Sequence, residues 1–244
     1  MTVYAQPRFL PAGDCAVVVE LADEISPEIN ARIRTLDVAL GRRQVPGIVD
    51  LVPTYRSLLI YYDPVRVRLT ELQDHVLSVV ALEPDALPPP NVLHIPTVYG
   101  REYGPDMDFV ARHAGLSADE VAAIHAGSDY LVYMMGFNTG FPYLGGMSSR
   151  IAAPRLETPR TLVPAGSVGI AQMQTGIYPV DSPGGWQIIG RSPVRLFDPR
   201  REPPVAIEAG DYVRFDRIDE ARYREIERDV LTGTYEFVIT AKTA

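Results

Sequence analysis

Between Gly136 and Arg191 the chain reads GFNTGFPYLGGMSSRIAAPRLETPRTLVPAGSVGIAQMQTGIYPVDSPGGWQIIGR. This stretch holds ten of the 19 glycines and the single tryptophan, yet Tyr130 to Ser149 and Thr161 to Val180 carry no charge. A surface loop would be charged, and a plain core segment would not be broken so often by Gly and Pro. The pattern is that of backbone brought close to something: tight turns, bulges, crossing strands or a ligand. Set in this apolar frame are Arg160, Ser167, Gln174, Thr175, Tyr178, Ser182, Trp186 and Arg191. Apolar walls with a few placed donors and acceptors suit a small polar ligand. An arginine here is costly to bury unless it meets an anion. That anion is either a ligand's carboxylate or phosphate, or an aspartate of the fold such as Asp181 or Asp198. On composition alone, barrel corners with internal ion pairs and a binding site are both open.

Outward from this stretch, the region from Tyr130 onward alternates short β-rich runs with Gly, Pro and Asp turns: YLVYMMGF, RTLVPAGSVGIAQ, GIYPV, WQIIGRS, VRLFD, PVAIEAGDYVRF and YEFVIT. Strands at this spacing predict an antiparallel barrel or sandwich, with only Asp219 to Asp229 helical. Just upstream, two short helices are expected. One lies within Asp106 to Ala114 and stops at Gly115. The other opens on Ser117 with Glu120 three residues on, a capping box flanked by the apolar pair Leu116 and Val121. Prolines at 84, 88, 89, 90 and 96 then read as a stiff linker running into a strand. Before it come, within 9–21, a Gly-Asp turn followed by a β-branched run that makes a strand, then a helix opened by Ser26-Pro27 with Ile29, Ile33, Leu36 and Leu40 on one stripe and closed by Gly41, and two strands over 47–62 broken near Pro53. A second helix with Leu69, Leu72, Val76 and Val79 on one face follows. Counting the strand at 92–96, the order is strand, helix, strand, strand, helix, strand, a split βαβ pattern like a ferredoxin fold. The expected organisation is therefore α+β: a small ferredoxin-like domain over residues 1–92 and an antiparallel barrel or sandwich over 93–244.

The formal charge of −8, from 31 acidic and 23 basic residues, argues against a nucleic-acid or anionic-membrane partner. No run approaches a membrane span and the N-terminus lacks a signal-peptide pattern, so a cytoplasmic protein is expected. Cys15, the single cysteine, lies in the apolar run CAVVVEL and reads as a small buried hydrophobe. There is no P-loop, no HExxH and no Cys/His pair at zinc spacing, so no metal site is expected. His75, His113 and His125 fall on helices, the last two near C-termini where a cation is favoured. His94 alternates with apolar residues in VLHIP and is expected to point away from the core. Ser167 lacks the flanks of a nucleophile elbow, but its Gly-rich neighbourhood could expose a hydroxyl.

Four blocks of the central stretch resemble a known family: GFPYLGG (140–146), TPRTLVPAGSVGIA (158–171), QTGIYP (174–179) and SPGGWQIIGR (182–191). The likeness extends to YRSLLIYYDP (55–64), IPTVYG (95–100), GLSADEV (115–121) and PRREPPVAIEAGDYVRF (199–215). The family is allophanate hydrolase subunit 1, which includes the B subunit of 5-oxoprolinase and the Kip-type sporulation-kinase inhibitor. Thr139 stands where the family usually has proline, and Gln172 where it often has glycine; both bear on substrate preference rather than fold. The resemblance implies a cyclophilin-like barrel after the small α/β domain, without prolyl isomerase activity. It also implies an obligate homologous partner, the C-type subunit or subunit 2, in a heterodimer or heterotetramer, with room for a third hydrolase-like subunit.

The leading expectation is one subunit of an ATP-dependent 5-oxoprolinase, opening 5-oxo-L-proline to L-glutamate. ATP, with Mg2+, would be bound by the complex rather than by this chain alone. The alternatives are a Kip-type histidine-kinase inhibitor and a subunit of an allophanate hydrolase or urea carboxylase. Opening a resonance-stabilised lactam needs donors over developing negative charge. The expected catalytic residues are Arg160, Arg191 and Ser167. The expected substrate-binding residues are Phe141, Tyr143, Gln174, Thr175, Tyr178, Gly184, Gly185 and Trp186.

Overall fold

The structure is a computed structural model that describes residues 3–80, 87 and 89–242. The chain divides into two compact units, Met1–Pro88 and Pro89–Ala244. Linker prolines Pro84 and Pro88 lie outside the described residues.

The first unit runs β1 (Val3–Pro11), β2 (Ala16–Ala22), α1 (Pro27–Arg43), β3 (Ile48–Pro53), β4 (Ser57–Tyr62) and α2 (Leu69–Val80). Its sheet has the order β1-β2-β4-β3, antiparallel throughout. The Ser26 hydroxyl accepts from the Ile29 N–H and Pro27 occupies the first turn, so α1 starts where the sequence expects. Ile29, Ile33, Leu36 and Leu40 are buried against Leu58, Ile60, Leu72 and Val76. Gly41 does not end the helix, however. It continues to Arg43 and stops at Gln44, whose φ of 47° is left-handed. The outer strand β1, which the sequence pattern passed over, is mostly exposed and hydrogen-bonds to β2 through a turn at Gly13. It takes the edge position that the split βαβ reading gave to residues 92–96. Those residues belong instead to the second unit, because Ile95 to Val98 are buried on both faces and need a closed core. Cys15 is exposed in the bend between β1 and β2, not buried: the apolar run starts one residue later, at Ala16.

The second unit contains β5 (Asn91–Tyr99), α3 (Met107–Ala114), α4 (Ala118–Ala126), β6 (Asp129–Met135), β7 (Pro142–Gly145), β8 (Arg160–Val163), β9 (Ser167–Ala171), β10 (Gln174–Ile177), β11 (Ser182–Gly184), β12 (Gln187–Arg191), β13 (Tyr212–Arg217), α5 (Glu220–Thr232) and β14 (Ile239–Ala241). The ladder β12-β9-β10-β7-β6-β13-β5 closes on itself through a β5–β12 pairing. All these contacts are antiparallel except β5 with β13, which runs parallel. Strand β14 adds to the free edge of β5. A separate two-stranded ribbon, β8 with β11, completes the set. The Ser117–Glu120 capping box starts α4, and Gly115 ends α3 in the left-handed region. The run VRLFD forms no strand. Arg201 holds its carbonyls instead, donating to those of Arg195 (3.2 Å) and Leu196 (2.5 Å), and only a Phe197–Val205 bridge remains.

Side-chain alternation along β9 explains the glycines of the central stretch. Val168 and Ile170 point into the barrel with Leu144, Ile177, Ile189 and Phe215. Gly169 and Ala171 face the other way, beneath a second cluster formed by Phe141, Val163, Tyr178, Trp186 and Ile188. A Cβ on Gly176 would lie 3.1 Å from Phe141 Cζ and 3.2 Å from Trp186 Cζ3. Aromatic rings thus lie directly on the outer wall of the barrel, and the small residues Gly169, Ala171 and Gly176 let them do so.

Candidate functional site

This outer aromatic cluster gathers most of the residues expected to bind substrate. Phe141 makes edge contacts with Tyr143, Tyr178 and Trp186, with ring centroids 5.4, 5.5 and 5.6 Å away. Phe137, 63% exposed with a φ of 59°, stacks its edge on Phe141 from the rim. The β8–β11 ribbon forms the other side, pairing Gly184 with Arg160. A Cβ on Gly184 would fall far inside contact with the Tyr178 hydroxyl. Gly185 is less constrained: its carbonyl accepts from the Leu156 N–H at 2.7 Å, and Pro159 lies at ordinary contact distance.

Arg160 is fixed in this frame by an aspartate that the sequence reading did not consider. Its Nη2 donates to Asp106 Oδ1 at 2.7 Å, and its Nη1 donates to the Trp186 carbonyl at 3.3 Å. The other Asp106 oxygen accepts from the Ile188 N–H at 2.6 Å. One carboxylate, placed at the start of α3, therefore aligns the arginine of β8 with the first residues of β12. Burial raises the Tyr178 phenol above its usual range, opposed by a bond to the Trp186 backbone and by the nearby guanidiniums of Arg155 and Arg160. The phenol stays protonated and available as a donor. Arg155 was not singled out from the sequence, because its segment reads as an ordinary polar loop.

The remaining expected residues lie elsewhere. Arg191 pairs with Ser167 across the β12–β9 ladder, five residues beyond Trp186, a strand length of about 16 Å. Its Nε donates to the Ala165 carbonyl at 3.3 Å. Ser167 is buried at that same end. The structure thus brings Ser167 and Arg191 together, but away from Arg160. Gln174 opens β10 half-buried, on the same outward parity as Gly176.

Thr175 points inward. Its hydroxyl donates to the Gly169 carbonyl at 3.1 Å and so accepts from His125 Nε2 at 2.7 Å. That leaves His125 Nδ1 as acceptor for the Tyr99 hydroxyl, also at 2.7 Å. The Tyr130 hydroxyl donates to the His125 carbonyl. Burial pushes the imidazole down to about 3. It is therefore a neutral link inside the barrel and not the helix-terminal cation that its position in the sequence suggested. His94, by contrast, is half-buried near the surface, bonding Asp216 at 2.9 Å and Thr240 at 3.1 Å.

Among the described residues, no group of three or more His, Cys, Asp or Glu is arranged to hold a metal ion. No helix among them is long and apolar enough to cross a membrane. Gln172, where the resembling family often has glycine, has a φ of 53°, the left-handed conformation that glycine adopts without strain.

A family model described as the carboxyltransferase domain, subdomain C and D, matches residues 7–207. The 5-oxoprolinase B subunit of Bacillus subtilis (strain 168) is 39% identical over 245 residues, covering 94% of this chain and 99% of that one. The 5-oxoprolinase B subunit of Escherichia coli O157:H7 is 41% identical over 207 residues, 83% of this chain and 92% of its own length. Among solved structures, the urea carboxylase of Kluyveromyces lactis superposes with a TM-score of 0.78 over 99% of this chain and 25% of that one, at 20% identity, which is a likeness of fold.

Proposed function

Because the chain belongs to the carboxyltransferase-domain family, subdomains C and D, alongside the B subunits of 5-oxoprolinases, we propose that it is one subunit of an ATP-dependent 5-oxoprolinase that opens 5-oxo-L-proline to L-glutamate. The observation that carries this reading is the end-to-end correspondence with a 5-oxoprolinase B subunit, 99% of which is covered. The protein acts in the cytoplasm with a homologous C-type subunit, and the aromatic face of the barrel is its half of a shared site.

On this reading the ring of the substrate lies against Phe141, Tyr143 and Trp186, where apolar contact replaces water. The lactam oxygen, which gains negative charge as the ring opens, faces the Tyr178 hydroxyl and the Arg160 guanidinium. Donors held in place before the reaction need no reorganisation as that charge develops. Asp106 does the holding: it fixes Arg160 and the Ile188 N–H at once. Arg191, at the other end of β12, and Ser167, paired with it on β9, support the sheet and not the chemistry. ATP and Mg2+ are assigned to the assembly rather than to this chain alone, whose sequence holds no P-loop.

The test is to co-express the chain with its homologous partner subunits and measure ATP hydrolysis with 5-oxoproline, urea and allophanate. Hydrolysis stimulated by 5-oxoproline is expected. Stimulation by urea or allophanate alone would overturn the assignment.

A further inference from the structure

The cations of the central stretch are not equivalent. Arg160 is committed to Asp106 and the Trp186 carbonyl. Arg191 is tied to Ala165 at the far end of β12. Arg155 is exposed and forms no ion pair with a carboxylate among the described residues. Its backbone is nonetheless anchored on both sides. The Pro154 carbonyl accepts from Nε2 of the buried Gln187 at 2.9 Å, and the Leu156 N–H donates to the Gly185 carbonyl at 2.7 Å. These bonds fix the backbone at Arg155 beside Gly184 and Gly185, so only its side chain loses freedom on meeting a ligand.

The neighbourhood supplies what a small anion requires. Gly185 puts no side chain against the Arg155 segment, where a Cβ would lie 3.8 Å from the Leu156 carbonyl oxygen, and Gly184 puts none against the Tyr178 hydroxyl. On the same strand as Gly184, the Ser182 hydroxyl is buried and finds no hydrogen-bond partner among the described residues. Such a group costs stability unless something bonds to it. The chain as a whole carries a charge of −8, so an anionic substrate is attracted only where positive charge is concentrated.

We propose that Arg155 is the carboxylate anchor of this site, gripping the carboxylate of a cyclic amide substrate bidentately while Arg160 and Tyr178 face its lactam oxygen. This rests on the 5-oxoprolinase reading and adds the residue that selects an acidic lactam over a neutral one.

The experiment uses the assembled enzyme with Arg155→Ala and Arg155→Lys, with 5-oxoproline as substrate and 2-pyrrolidinone, the same ring without the carboxylate, as competitive inhibitor. Arg155→Ala is expected to raise KM for 5-oxoproline about 10- to 100-fold, the range for losing one hydrogen-bonded charged contact, with kcat nearly unchanged. The inhibition constant of 2-pyrrolidinone should not move. Arg155→Lys should recover only part of the loss, since an ammonium cannot make the bidentate contact. An unchanged KM in Arg155→Ala, or equal losses for both ligands, overturns the anchor. Absence of 5-oxoproline turnover in the unsubstituted assembly overturns the 5-oxoprolinase reading, and the anchor with it.

Discussion

Acid should weaken the barrel through His125. The imidazole ordinarily titrates at 6.5 and is pushed down to about 3 inside the fold. Below pH 6.5 the unfolded chain takes up a proton that the folded chain refuses until about pH 3. The neutral link therefore contributes its full stability above pH 6.5, and that stability drains away as the pH falls toward 3. At somewhat over 1 kcal/mol per unit, the loss is roughly 2 kcal/mol at pH 5 and about 3 kcal/mol at pH 4. Trp186, the single tryptophan, lies in the same unit and is buried, so its fluorescence reports unfolding of the barrel. Urea titrations at pH 7 and pH 5 should be run on the unsubstituted protein and on His125→Gln. The variant should lose about 2–3 kcal/mol at pH 7, because the bonds to Tyr99 and Thr175 are broken. It should also lack the drop of roughly 2 kcal/mol that the unsubstituted protein shows between the two pH values. Subtracting the two proteins cancels every other titrating group. Equal pH dependence in both, or an imidazolium signal from His125 in an NMR titration at pH 5, would refute the reasoning.

Two further predictions concern single side chains. Burial, together with nearby Asp50 and against Arg34, raises the Asp37 carboxyl to about 6. A folded value above the unfolded one means that its contribution is best at low pH and is lost as pH rises through 6. Asp37→Asn should therefore stabilise the first unit by about 1–2 kcal/mol at pH 7 and not at pH 4; slower hydrogen exchange in α1 at pH 7 checks it, and an unchanged rate counts against it. Gly184→Ala should displace the Tyr178 ring and cost about 1–3 kcal/mol as overpacking. An unchanged Trp186 unfolding midpoint would show that the ring moves aside freely.

The sequence disclosed most where a local rule decides the outcome. Ser26-Pro27, the Ser117–Glu120 box and Gly115 each define a helix boundary within a few residues of chain. The glycines of the central stretch marked close backbone approach, but periodicity could not say that their bare faces look outward onto aromatic rings. That depends on which surface of β9 and β10 meets Phe141 and Trp186. Asp106 was out of reach for another reason: it lies 54 residues from Arg160, and only the strand register brings them together. The same register separates Arg191 from Arg160 although both are arginines of one Gly-rich stretch. His125 misled because its place at a helix end is local information, whereas the barrel that envelops it is not.

The parallel pairing of β5 with β13 carries a consequence for how the chain is made. Val92 pairs with Tyr212, and Leu93 with Ile239. Strand β5 leaves the ribosome more than a hundred residues ahead of both partners, while the sheet of the first unit is complete by Tyr62 and its second helix by Val80. The first unit can thus assemble during synthesis, whereas the second must hold an open edge on β5 until β13 and β14 emerge. Nascent barrels that have not yet received their C-terminal strands are the species most exposed to pairing with the wrong chain.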